Sequence, residues 1–172
     1  MISIVRFFLF LGGLLLSSFA AQAEVSEGQQ APAFVATTLD GKSFDLSALK
    51  DKVVVLHFWA TWCAPCREEM PALEAVWRKY RTKGLEVLAI SADRPRAKND
   101  VRQAIRVLTF PIALLDSASK NDFGPLSSVP ITYVIGKDGK IAQILTPDLL
   151  PLREATLGTE IDALQAAKTE IK

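Results

Sequence analysis

Along the chain, short apolar runs alternate with segments whose apolar residues recur every three or four positions, and Gly, Pro and Asp punctuate them. Val53 to Trp59 is apolar except for His57 and holds three valines in succession. It is short enough for a strand buried on both faces. Met70, Leu73, Trp77 and Tyr80 recur at helical spacing after it, which predicts a helix starting near Cys63 and ending at Gly84. Leu85 to Ile90 reads as a second buried strand, Lys98 to Leu108 as a second helix, and Ile112 to Leu115 as a short apolar piece of undecided type. Two hairpins are expected. One spans Phe34 to Phe44 around Asp40-Gly41; the other joins Ile131–Ile135 to Lys140–Leu145 through Lys137-Asp138-Gly139. Ile161, Leu164 and Ala167 or Lys168 suggest a terminal helix. Strand-helix-strand units followed by a hairpin and a helix predict an α/β layer fold, with helices covering a mixed sheet.

The first 23 residues break this pattern. Arg6 is their only charge, an apolar run follows to Leu16, and Ala21-Gln22-Ala23 places small residues where a signal peptidase reads. The run falls short of the ~20 apolar residues a membrane span needs. The expected organisation is a cleaved signal at 1–23, with a retained anchor as the alternative, followed by one domain over 24–172. With 20 basic and 19 acidic residues and no long single-sign run, the chain lacks the footprint of a nucleic-acid binder. Small molecules and proteins are the expected partners.

The two cysteines of the chain, Cys63 and Cys66, lie three apart. A disulfide closing so short a loop constrains the unfolded chain little, so the pair reads as chemical rather than as a staple. A cysteine at the first turn of a helix meets unpaired amides and the positive end of the macrodipole, which favour its thiolate. Cys66, one turn on, is placed to resolve a mixed disulfide formed at Cys63. Pro65 suits that first turn, because its missing N–H would have no partner there. Zinc needs more ligands than two cysteines and one histidine, so no metal site is expected.

The run Phe58-Trp59-Ala60-Thr61-Trp62-Cys63-Ala64-Pro65-Cys66, with Val129-Pro130-Ile131-Thr132-Tyr133 and Lys137-Asp138-Gly139-Lys140, resembles the TlpA/ResA-type branch of the thioredoxin family over about Gly28 to Ile144. The resemblance implies a thioredoxin fold, a central mixed sheet flanked by helices, here with an N-terminal β-hairpin extension. It implies an exported, periplasmic thiol-disulfide oxidoreductase without a cofactor, monomeric, working on protein substrates with cysteine pairs. It also implies a cis bond between Val129 and Pro130 against the cysteines, with the Val129 backbone offered to an extended substrate segment. Trp62, Ala64 and Pro65 would complete the substrate-binding surface, while Trp59 is expected in the core. Pro71 resembles the family's kink-forming helix proline. Glu69, three residues after Cys66, stands where ResA-type proteins carry an acid able to take or return the Cys66 proton; the plain alternative is a solvated helix glutamate. His57 departs from the aspartate or asparagine usual at its place. It is either a proton acceptor or a hydrogen-bonded core histidine.

Ala64-Pro65 is closer to the Gly-Pro of reducing thioredoxins than to the Pro-His of strong oxidants, so a reductant is expected. The family then implies electrons from a transmembrane carrier of the DsbD/CcdA type, and targets such as apocytochrome c or a copper-receiving protein. A Cu(I)-binding metallochaperone on the same cysteines and a disulfide-donating oxidase are the alternatives. Peroxiredoxins place both a Pro and a Thr before a single cysteine, and neither Cys63 nor Cys66 has both. Thr146 to Thr159, with Pro147 and Pro151, fits no family element: a lengthened partner-contacting loop, or a helix over Leu149 to Leu157.

Overall fold

The computed structural model describes residues 25–167; the expected signal segment 1–23 lies outside the described residues. Seven strands form one sheet in the order β2-β1-β5-β4-β3-β6-β7. They are β1 (Phe34–Thr38), β2 (Ser43–Asp45), β3 (Val53–Trp59), β4 (Leu85–Ser91), β5 (Ile112–Asn121), β6 (Ile131–Ile135) and β7 (Ile141–Leu145). Three α-helices accompany them: α1 (Ala64–Tyr80), α2 (Lys98–Ala104) and α3 (Glu154–Ala166). The mixed sheet and both hairpins match expectation. β1 pairs antiparallel with β2 at the sheet edge, and β6 pairs antiparallel with β7. Gly41 and Gly139 hold the left-handed conformation that each of these turns requires.

β3 pairs in parallel with β4, and β4 with β5. Each parallel pair needs a crossover, supplied by α1 and by α2. Both crossovers step across the sheet in the same direction, so right-handed connections put both helices on one face. The core obeys this. Val53, Val55 and Trp59 pack with Leu73, Val76 and Tyr80 of α1, Val101 of α2, and Leu157 and Ile161 of α3. Val54, Leu56 and Phe58 point the other way, into an aromatic cluster with Phe34, Phe123 and Tyr133. There Phe58 meets Tyr133 edge-on at 6.0 Å. All of β3 is buried, as a central strand covered on both faces must be.

Three elements differ from the sequence pattern. α2 stops at Ala104 rather than Leu108, because Pro111 requires extended backbone before it and the chain must turn first. The undecided piece at Ile112 is a strand of ten residues; its apolar start pairs with β4 while its polar remainder pairs with β1. The helix considered over Leu149–Leu157 begins only at Glu154, because Pro151 lacks an N–H and disfavours helical backbone at Leu150. Before it, Leu150 closes a turn onto the Thr146 carbonyl at 3.0 Å. No described helix is long and apolar enough to cross a membrane.

Candidate active site

β3 ends at Trp59, and a tight turn, with the Cys63 amide donating to the Ala60 carbonyl at 3.2 Å, delivers the chain to α1. Cys63 is the N-cap of that helix. Its sulfur accepts from the backbone amide of Cys66 at 3.2 Å, the contact a capping side chain makes with an otherwise unpaired first-turn donor. Pro65 occupies the first turn, where a residue without an N–H leaves no gap in the helical ladder. Cys63 and Cys66 are joined by a disulfide, with Cα atoms 5.3 Å apart. Cys63 retains 5% exposure and Cys66 none, so an incoming sulfur reaches Cys63 first.

Opposite the helix, the peptide bond between Val129 and Pro130 is cis, and the Val129 carbonyl oxygen lies 3.6 Å from the Cys63 sulfur. The loop before β6 is thereby brought against the cysteine pair. Trp62 is 69% exposed, and Ala64 and Pro65 are exposed beside it, whereas Trp59 is core. These exposed side chains form the outer surface around Cys63.

His57 lies within β3 on the same face as Val55 and Trp59, beneath α1. It is fully buried. Its Nδ1 is 2.8 Å from the Thr132 hydroxyl on β6, while Nε2 has no partner among the described residues. Burial lowers its pKa from 6.5 to about 4, so the ring is neutral at neutral pH. Glu69 is buried in α1, and its Oε1 accepts from the Leu152 amide at 3.2 Å. A freely solvated Glu69 is therefore corrected: the carboxylate anchors the segment before α3. Desolvation raises its pKa, partly countered by that hydrogen bond. Pro71 lies inside α1, as expected.

Sequence reasoning missed a clamp on the active-site turn. Asp93, just past β4 and 6% exposed, accepts from the Thr61 amide at 2.8 Å and from the Thr61 hydroxyl at 2.7 Å. The Ser91 hydroxyl donates to the same carboxylate at 2.8 Å. On the solvent side, the Arg67 guanidinium donates to the Thr61 carbonyl at 2.7 Å. Both backbone polar groups of the residue next to Trp62 are thus held. The available signal was the parallel pairing of β3 and β4, which sets Trp59 opposite Ser91 and so brings the residues after both strands to one sheet end. Glu74 was also missed; its carboxylate accepts from Arg78 and from the Thr109 amide and hydroxyl, tying α1 to the start of β5.

The AhpC/TSA family profile matches residues 27–144, which contain the strand, the turn, the cysteine pair and the cis-proline loop. The chain belongs to this family. It is 41% identical over 131 residues to the thiol-disulfide oxidoreductase ResA of Bacillus cereus, covering 73% of this chain and 72% of that one. To the ResA of Bacillus subtilis it is 33% identical over 129 residues, covering 74% and 72%. Among solved structures, the thioredoxin domain of a thiol-disulfide oxidoreductase from Bacteroides vulgatus superposes with a TM-score of 0.64 at 26% identity, covering 80% of this chain and 99% of that one. This AhpC/TSA member has the thioredoxin-like fold and is a thiol-disulfide oxidoreductase of the ResA type. Among the described residues no cluster of His, Cys, Asp and Glu is built to hold a metal ion.

Proposed function

We propose that the chain is an exported reductant of protein disulfides that works through Cys63 and Cys66. The observation carrying this reading is the placement of the Cys63 sulfur. It caps α1 at 3.2 Å from the Cys66 amide, is the more exposed of the pair, and faces the Val129 carbonyl at 3.6 Å. In the dithiol form, the Cys63 thiolate attacks a substrate disulfide, whose S–S bond breaks as a mixed disulfide to Cys63 forms. The Cys66 thiolate then attacks the Cys63 sulfur. The internal disulfide closes, the substrate leaves as a dithiol, and two electrons have passed to it. A thiol donor returns two electrons and restores the pair.

An extended substrate segment beside Val129 would place its cysteine over Cys63, with Trp62, Ala64, Pro65 and Pro130 as the surrounding surface. Cys66 must lose a proton before it attacks. Glu69 lies three residues on along the same helix face, and its burial raises its affinity for a proton, which favours it as the acceptor. The lowered basicity of His57 favours a role in packing and in the bond to Thr132. Export rests on the Met1–Ala23 segment, and places the protein in a periplasm-like compartment. There a transmembrane carrier of the DsbD/CcdA type would supply electrons, and apocytochrome c or a copper-receiving protein would be candidate targets. The test is single-turnover reduction of a disulfide-bonded peptide by the reduced domain, with Cys66→Ser accumulating the mixed disulfide. Failure of the reduced protein to transfer electrons to any disulfide would overturn the proposal.

A further inference from the structure

The segment that follows the Asp93 clamp on Thr61 is electrically lopsided in a way the thiol chemistry does not use. Residues 94–106 carry five cations, Arg94, Arg96, Lys98, Arg102 and Arg106, against one acid, Asp100, in a chain of net charge +1. All five cations are exposed, and none forms an ion pair among the described residues. The first three belong to the active-site end of the fold. Asp93 holds Thr61, so Arg94 starts one residue from that clamp, and the tight turn Pro95–Ala97 keeps Arg96 and Lys98 close behind. Arg102 lies within α2, and Arg106 follows it in the turn before β5. Arg67, exposed and bonded to the Thr61 carbonyl, adds a fourth cation on the α1 side of the turn.

Across the motif the sign reverses. Beyond Pro65 a cleft of about 400 Å³ is lined by Glu68, Glu69 and Glu154, with Arg153 as its single cation. Neighbouring like charges repel, and such a cluster acts at a distance on an oppositely charged partner.

We propose that Arg94, Arg96 and Lys98, together with Arg67, form a docking rim for an acidic segment flanking the cysteine of a protein substrate. The rim steers that segment to the Trp62 side and so presents the substrate sulfur to Cys63. This inference rests on the disulfide-reductase reading and names the substrate class of the same site.

The experiment uses the reduced protein and two peptides containing the same disulfide, one flanked by glutamates and one by lysines, alongside the uncharged bis(2-hydroxyethyl) disulfide. At low salt the glutamate peptide should react about 10-fold faster than the lysine peptide, a steering gain that screening should erase at high salt. R94E/R96E/K98E should reverse the preference and leave the rate with the uncharged disulfide unchanged. Arg67 is left intact because it holds Thr61. Equal rates for the two peptides, or a preference that survives in the variant, would overturn the rim. So would wild-type protein that binds phosphatidylglycerol vesicles through these cations while showing no peptide preference, since the rim would then serve a membrane. A serine-substituted glutamate peptide, followed by chemical-shift changes at Arg94 to Lys98, reads the surface without redox chemistry. If that peptide binds while all three disulfides go unreduced, the reductase reading falls and the docking rim stands.

Discussion

Thr61→Val removes one hydroxyl from the active-site turn and tests whether Asp93 holds it. The substitution keeps the shape of the side chain and the backbone amide bond to Asp93 at 2.8 Å, and deletes the hydroxyl bond at 2.7 Å. Hydrogen bonds to a charged acceptor contribute about 1.5–3 kcal/mol each, and the buried carboxylate would keep only the Thr61 amide and the Ser91 hydroxyl. A loss of about 2 kcal/mol is expected, or roughly 4–8 °C in Tm for a domain of this size. Thr61→Ser, which retains the hydroxyl, should stay within about 0.5 kcal/mol of wild type. Asp93→Ala should cost more than Thr61→Val, because it also strands the Thr61 amide. Urea unfolding of the oxidised proteins measures these differences. Thr61→Val and Asp93→Ala should also slow exchange with a peptide disulfide by about tenfold, since the turn that sets Cys63 against Val129 is loosened, and Thr61→Ser should not. If Thr61→Val and Thr61→Ser unfold at the same urea concentration with the same slope, the carboxylate does not clamp the turn and the reasoning fails.

Three further outcomes follow from the site. His57 has a pKa of about 4 folded against 6.5 unfolded, so the unfolded chain binds more protons between those values. Its contribution to stability is complete above pH 6.5 and is lost as pH falls toward 4, by about 3 kcal/mol in total; His57→Asn should flatten that part of a stability profile. The raised pKa of Glu69 has the opposite sense: the folded state holds its proton more tightly, so its ionisation weakens the fold as pH rises through the folded pKa. Glu69→Gln keeps an acceptor for the Leu152 amide and should unfold no more easily than wild type at pH 7, whereas Glu69→Ala should be less stable; a limb in the pH profile of exchange that wild type shows and both variants lose would support the proton-acceptor role, and a limb that survives in Glu69→Gln would contradict it. Cys66→Ser should trap substrate on Cys63 as a stable mixed disulfide visible by mass spectrometry, and Cys63→Ser should not, because the sulfur of Cys66 is fully buried.

The sheet and the cysteine geometry were legible because they rest on local signals. Unbroken apolar character marked β3 as a central strand, Asp-Gly turns marked both hairpins, and the spacing of Cys63 and Cys66 with Pro65 between them marked a helix start. The fate of charged and polar side chains was not. Whether Glu69 is solvated depends on Leu152, 83 residues on, whose amide it accepts. Asp93 and Thr61 meet across 32 residues only because two strands pair in parallel, a non-local fact that periodicity does not encode. The neutrality of His57 likewise follows from burial on both faces of the sheet rather than from its neighbours in sequence. β5 extended past its apolar start because backbone pairing with β1, which is indifferent to side-chain polarity, carried it to Asn121.

The central claim, that this thiol-disulfide oxidoreductase is a reductant, is tested most directly by the reduction potential of the Cys63–Cys66 pair in the domain beginning at Glu24, equilibrated against dithiothreitol and glutathione buffers. A value near that of thioredoxin, about −270 mV, is the predicted result. A value near about −120 mV, that of the strong oxidant DsbA, would contradict it and make the protein a donor of disulfides.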